Sequence, residues 1–187
     1  MSGEYGMLPY AEVDGVRNVP DSFVAGLYER VLAEGGAHVF RDGSIPTAAA
    51  FVRMARQTGT AFYLLFVRGE PAGALWLNRF ECRFARLHHF VFREFWGPDT
   101  LKLARYCMGE IFAMADETGR PLLDGLMGST PADNRLALSL TLRCGFKRVG
   151  VLPFGAYDAA TQTSGPAVLT AMTRADAPAR SDGGDAR

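Results

Sequence analysis

Four kinds of residue in this chain have types and surroundings suited to chemistry. His88 and His89 lie side by side in "RFARLHHFVF", residues 83–92, a run with the composition of a β-strand. A strand sends successive side chains to opposite faces, so only one of these imidazoles can face a given cleft. Each has an ordinary alternative as a histidine at the edge of the core. Asp124 sits inside "LLDGLMG", 122–128, where a carboxylate needs a partner or a raised pKa. Glu81, just ahead of the histidine strand, can reach a proton through a water. Asn134 precedes the periodic "RLALSLTLRCGF", where it either caps the helix donors or offers its amide to a ligand.

The elements that must position these residues follow from periodicity. Asp21 is expected to cap a helix with Phe23, Leu27 and Val31 on one face, stopped by Gly35-Gly36. A short extended piece, 38–40, leads to a second helix near 46–57 that begins at Pro46. "TAFYLLFV" (60–67), a turn at 68–71 and "AGALWLNRF" (72–80) read as a hairpin, with 83–92 as a third antiparallel strand. Leu101, Ala104, Met108, Ile111, Phe112 and Ala115 predict an amphipathic helix over about 99–117. A buried strand at 122–128, a helix over about 132–143 and strands at 147–152 and 167–173 complete the order, with a loop between the last two. The strand–helix–strand pass implies a right-handed crossover, which makes 83–92 and 122–128 a parallel pair in an otherwise antiparallel sheet. Residues 1–20 read as an N-terminal arm, 21–174 as a single α+β domain and 175–187 as a disordered tail.

Composition narrows the function classes. Twenty basic and twenty acidic residues among 187 leave no net charge, which disfavours a nucleic-acid binder. The aromatics from Trp76 to Trp96 lack an accompanying basic array and read as core or cleft wall. Arg79, Arg83, Arg86 and Arg93 read as a solvated edge, with an acidic substrate as the alternative. Cys82, Cys107 and Cys144 show neither metal-ligand nor disulfide-framework spacing, so no metal is expected, and Cys144 reads as ordinary burial. With no signal-peptide pattern and apolar runs too short to span a bilayer, the expected setting is cytoplasmic, without membrane contact.

"TPADNRLALSLTLRCGFKRVGVLP" resembles the last motif of GNAT-type N-acyltransferases, on Asn134, Ala137, Leu140, Gly145, Phe146 and Gly150. "EPAGALWLNRF" resembles the family's second-to-third strand hairpin, and the overall cadence resembles compact GNAT-like proteins of phage and prophage genomes. The resemblance implies a mostly antiparallel mixed sheet with helices on both faces and a central parallel pair of splayed strands. It also implies transfer of an acetyl or similar acyl group from acetyl-CoA, or another acyl-CoA, to an amine by direct attack. The acceptor would be a small-molecule or protein amine, and oligomeric state is open, a homodimer included. On this resemblance the acyl carbonyl meets backbone N–H near Val91, within Phe90, Val91 and Phe92. Gly97, Thr100 and Leu101 approach the pyrophosphate, and Asn134 and Ala137 the pantetheine. His89 is the preferred base, Asp124 the second choice and Glu81 a third.

Two places depart from the family pattern. "EFWGPD", 94–99, keeps Gly97 of the phosphate loop but has Glu94 and Asp99 where the family has Arg/Gln and a second Gly or Ala, and Pro98 removes one N–H donor. Asp99 is expected to cap the helix and so compete with a phosphate there, with Lys102 and Arg105 as offsetting cations. Thr141 stands where many relatives place a Tyr that protonates the leaving thiolate. These departures imply an alternative, a catalytically inactive GNAT-fold binding or assembly protein.

Overall fold

A computed structural model describes residues 3–179. The elements are β1 (Tyr5–Pro9), β2 (Glu12–Val13), β3 (Val16–Arg17), α1 (Asp21–Ala33), α2 (Ala48–Ala55), β4 (Ala61–Val67), β5 (Glu70–Glu81) and β6 (Phe84–Val91). They continue with α3 (Pro98–Ala113), β7 (Gly125–Pro131), α4 (Arg135–Cys144), β8 (Lys147–Asp158) and β9 (Thr163–Thr173). Seven strands form one sheet in the order β1-β4-β5-β6-β7-β9-β8, while β2 and β3 make a separate small hairpin. Only β6 and β7 run parallel; every other neighbouring pair is antiparallel. The fold is α+β, with α1 and α2 on one face of the sheet and α3 and α4 on the other.

Burial explains the layers. β4 and most of β5 are apolar on both faces, as strands covered from both sides must be. On the α1/α2 face Phe51 is fully buried, and its ring meets those of Tyr28, Phe40, Phe62, Trp76 and Phe90. On the opposite face Leu103, Cys107 and Ile111 of α3 are buried, and Tyr63 reaches the Met114 sulfur at 3.5 Å.

The parallel pair is short. Phe84, Ala85 and Arg86 pair with Gly125, Leu126 and Met127, and there the pairing ends. Beyond it β6 stays in register with β5, and β7 stays in register with β9 through Pro131. Each strand follows its outer neighbour, so the two separate toward their carboxyl ends. The closed end is secured by the Arg83 guanidinium gripping the Asp124 carboxylate at 2.6 and 3.1 Å, and by the Asp124 N–H donating to the Arg83 carbonyl at 2.8 Å.

Several expectations need correction. The arm 1–20 supplies an edge strand, because β1 pairs with β4 over five positions despite its Gly and Pro. Asp21 does not cap α1; Pro20 holds that position, and Asp21 accepts from the Tyr10 hydroxyl and from Arg56 instead. Residues 37–40 form a 3-10 turn, and α2 is capped by the Thr47 side chain, which accepts from the Ala50 N–H at 3.1 Å. α3 stops at Ala113; Asp116 then folds the chain back by accepting from Thr118 and Arg120. β7 lies three residues later than the expected 122–128, and the expected 153–166 loop is mostly a long β8–β9 hairpin. At the expected tail, Arg174–Asp176 is a 3-10 turn boxed by Thr173, and Ala177 packs on the core; residues 180–187 lie outside the described residues.

Phe51→Ala is expected to cost about 3–5 kcal/mol in urea unfolding, the range for truncating a buried aromatic. A loss below about 1 kcal/mol would contradict the placement of Phe51 at the centre of the aromatic layer.

Candidate active site

The separation of β6 and β7 opens a cavity of about 670 Å³ that reaches both faces of the sheet. Strand alternation fixes what lines its β6 edge. The Phe92 N–H donates to the Ala72 carbonyl of β5 at 2.9 Å, so even-numbered residues of this segment spend their backbone groups on β5. The N–H groups of His89 and Val91 therefore turn toward the space β7 has left, while that of Leu87 is spent on the last β7 pairing, at Met127. The Val91 carbonyl on that side accepts from the Trp96 indole at 2.8 Å. A row of donors in a gap between strands can hold an extended ligand as an added strand would be held.

The amino end of α3 meets the same cavity, which Gly97, Thr100 and Leu101 line. Gly97 has φ +105°, a conformation side chains rarely adopt, and no protein atom occupies the position a Cβ would take. No side chain caps this helix among the described residues; the Thr100 hydroxyl donates backward to the Phe95 carbonyl at 2.7 Å. The first-turn amides are thus free for an anion, with the positive end of the helix dipole behind them. The expected competition from carboxylates does not occur. Asp99 turns to Arg68 at 2.9 Å, which holds its carboxyl below the usual range, and Glu94 pairs with Arg30.

The two histidines divide between the faces. His88 pairs across the strands with Trp76 and stacks on its indole with ring centroids 5.2 Å apart, on the α1/α2 face. Its Nε2 lies 3.1 Å from the Asn78 side-chain oxygen. Burial, aided by Arg86, pushes His88 down to about 4. His89 pairs with Leu75, beside Tyr63, on the α3/α4 face, and burial lowers it as well. Both line the cavity from opposite sides.

The other expected residues scatter. Asp124 is at the closed end of the strand pair, locked to Arg83 and held below the usual carboxylate range by it. Glu81 is exposed at the end of β5, paired with Phe84 and away from the cavity. Thr141 lines the cavity, but its proton is given to the Ala137 carbonyl at 2.8 Å, the usual habit of a helical Thr. Phe92 is core, with its N–H spent on β5, whereas Phe90 and Val91 do line the cavity. Asn134 caps α4 by accepting from the Ala137 N–H at 3.1 Å, and Asn134 and Ala137 both face the cavity. Gly145 ends α4 in the left-handed region at φ +115°, as the Cys-Gly-Phe turn implies. Trp96, read from the sequence as core or cleft wall, and Leu140, a position of the resembled motif, line the cavity too. Sequence reasoning passed over Arg41, which also lines it.

No family model matches the chain, and no curated protein sequence matches it. Solved structures do match in fold. RimL, a ribosomal L7/L12 α-N-protein acetyltransferase in complex with coenzyme A, is similar at TM-score 0.69 and 14% identity, over 92% of this chain and 95% of that one. The microcin C7 self-immunity acetyltransferase MccE, in complex with acetyl-CoA and AMP, is similar at TM-score 0.64 and 14% identity, over 82% and 88%. The spermidine/spermine N-acetyltransferase SpeG from Vibrio cholerae is similar at 0.65 and 10%, over 92% and 95%. At such identities the comparison establishes the fold, which is that of GNAT-type acetyltransferases. No helix among the described residues is long and apolar enough to cross a membrane.

The depressed His88 pKa makes stability pH-dependent in a definite direction. Unfolded His88 binds a proton near 6.5, but folded His88 does so only near 4. Between those values the unfolded chain binds more protons, so stability is full above 6.5 and falls as pH drops toward 4. Urea unfolding from pH 7.5 to 4.5 should show a loss from this group of roughly 1–3 kcal/mol, reduced in His88→Gln. An identical pH slope in the variant would contradict the assignment.

Proposed function

We propose that the protein is an N-acyltransferase that moves an acetyl or similar acyl group from CoA to an amine. The observation that carries this reading is the uncapped amino end of α3 opening onto the same gap as the β6 backbone donors. A pyrophosphate suits the first-turn amides of α3 behind Gly97. A pantetheine arm suits the N–H groups of His89 and Val91, with Asn134 and Ala137 opposite. The thioester then lies where the strands part, open to the α1/α2 face. There an amine nitrogen attacks the carbonyl carbon; the C–N bond forms, the C–S bond breaks and CoA leaves as the thiolate. The β6 amides stabilise the oxyanion.

The nitrogen's proton goes to a base on the attacking side. His88, not His89, is on that side, with its Nε2 hydrogen-bonded to Asn78 and its ring neutral at physiological pH. A neutral imidazole can accept a proton directly or through a water. The acceptor is a small-molecule or protein amine, and the free thiols suit a cytoplasmic setting.

A second reading keeps the fold without the chemistry, as a binding or assembly protein of the phage-encoded kind, or one face of a homodimer. It is favoured by the exposed apolar side chains of edge strand β8, among them Val149 at 65% and Phe154 at 80% exposure.

Acetyl-CoA at a hundred times its dissociation constant should add about 2.7 kcal/mol to stability in thermal unfolding. No shift at millimolar concentration would favour the second reading. The ion pair beside the phosphate site gives a sharper check by calorimetry. Arg68→Ala leaves Asp99 unpaired there and should weaken CoA binding by about fivefold, roughly 1 kcal/mol. Adding Asp99→Ala should restore it. No recovery in the double variant would contradict the neutralisation described.

A further inference from the structure

The α1/α2 face carries a cation that the fold does not use. Arg86 is the last β6 residue paired with β7, and its side chain shares the face of His88 and Phe90. It is half-buried, yet among the described residues no hydrogen bond or ion pair reaches its guanidinium. Its surroundings make this unusual. Burial disfavours its charge, and Arg79, in the irregular end of β5, adds to this as a second positive charge. The cross-strand neighbours are Asn78 on β5 and the apolar Met127 on β7. The carboxylate acting on His88 is Asp42, which accepts from the Ser44 N–H and hydroxyl at 3.0 and 2.8 Å and exerts no resolved effect on Arg86. Half-buried Arg41, Arg83 and Arg30 are matched, to Asp133 and Asp158, to Asp124, and to Glu34 and Glu94, and so is Arg68, to Asp99. The other arginines without an ion pair among the described residues, such as Arg53 and Arg148, are exposed.

A half-buried guanidinium with a second positive charge in its field is unfavourable unless something negative arrives. Arginine cannot escape by losing its proton, and its fork fits a carboxylate or phosphate. The location is suited to this. Arg86 stands at the closed end of the gap, just outside the residues that line the cavity, and His88, the next residue on that face, lines it. We propose that Arg86, with Arg79 beside it, is an anion subsite on the acceptor face, so that the acceptor is a small primary amine carrying one carboxylate or phosphate. Two residues of strand place the anion about 7 Å from a nitrogen poised at His88. This rests on the acyltransferase reading for the role of the amine, while the subsite itself does not. An anion seated at Arg86 also removes part of the positive field on His88, which strengthens that imidazole as a base.

The test compares ligands of one length by calorimetry, with both the free protein and the CoA-saturated protein: 5-aminopentanoate, 3-aminopropyl phosphate, pentylamine and 1,5-diaminopentane. The two anionic amines should bind at least about tenfold tighter than pentylamine, the scale of a charge-assisted hydrogen bond. Arg86→Gln should erase that preference while leaving pentylamine binding and acetyl-CoA binding unchanged. The ratio of the two anionic arms identifies the head group. Equal binding of anionic and neutral amines, preference for the diamine, preference retained in Arg86→Gln, or no binding by any of them overturns the proposal. Failure of acetyl-CoA to bind, with the anion preference intact, overturns the acyltransferase reading alone.

Discussion

The structure depends on where one pair of strands stops pairing. β6 and β7 share three positions and then part, because each is committed along its length to a different outer neighbour. A backbone cannot leave buried donors unpaired without cost. This fold places such donors at a gap open to both faces, where a ligand can take the part of the missing strand. The Arg83–Asp124 grip at one end and the Trp96 indole on the Val91 carbonyl at the other hold the edges of the gap in place.

Charge around the gap is arranged by residues distant in sequence. Glu94 and Asp99 would repel a phosphate if left bare, but Arg30 and Arg68 neutralise them from α1 and from the β4–β5 turn. These exposed pairs contribute little to stability. Their consequence is local: the amino end of α3 keeps its dipole and its free amides without a carboxylate seated on them. On the other face the logic reverses, and Arg86 keeps a charge that no described residue meets.

Much of the fold was legible in the sequence because burial follows period. The meander of β4, β5 and β6, the amphipathic α3 and the α4–Gly145–Phe146 turn were all visible there. β1 was not, since five residues with a Gly and a Pro leave too short a pattern. The long β8–β9 hairpin was hidden because β8 is largely exposed and so has no apolar alternation to read. The site was partly legible. Alternation separated His88 from His89, but which face each takes depends on Trp76 and Leu75, their partners across the sheet. Asp124 looked buried within an apolar run; the pairing register puts it one residue ahead of β7, beside Arg83. Glu94 and Asp99 looked obstructive because their partners lie 64 and 31 residues away.

Amide hydrogen exchange resolved by residue tests the central claim most directly, with the protein free and then saturated with acetyl-CoA. The account predicts that the His89 and Val91 amides exchange readily in the free protein. At a hundred times the dissociation constant they should slow by roughly a hundredfold, while the His88 and Phe90 amides, already paired to β5, stay protected throughout. Protection of the odd-numbered amides before ligand is added, or no change in them at saturation, would contradict it.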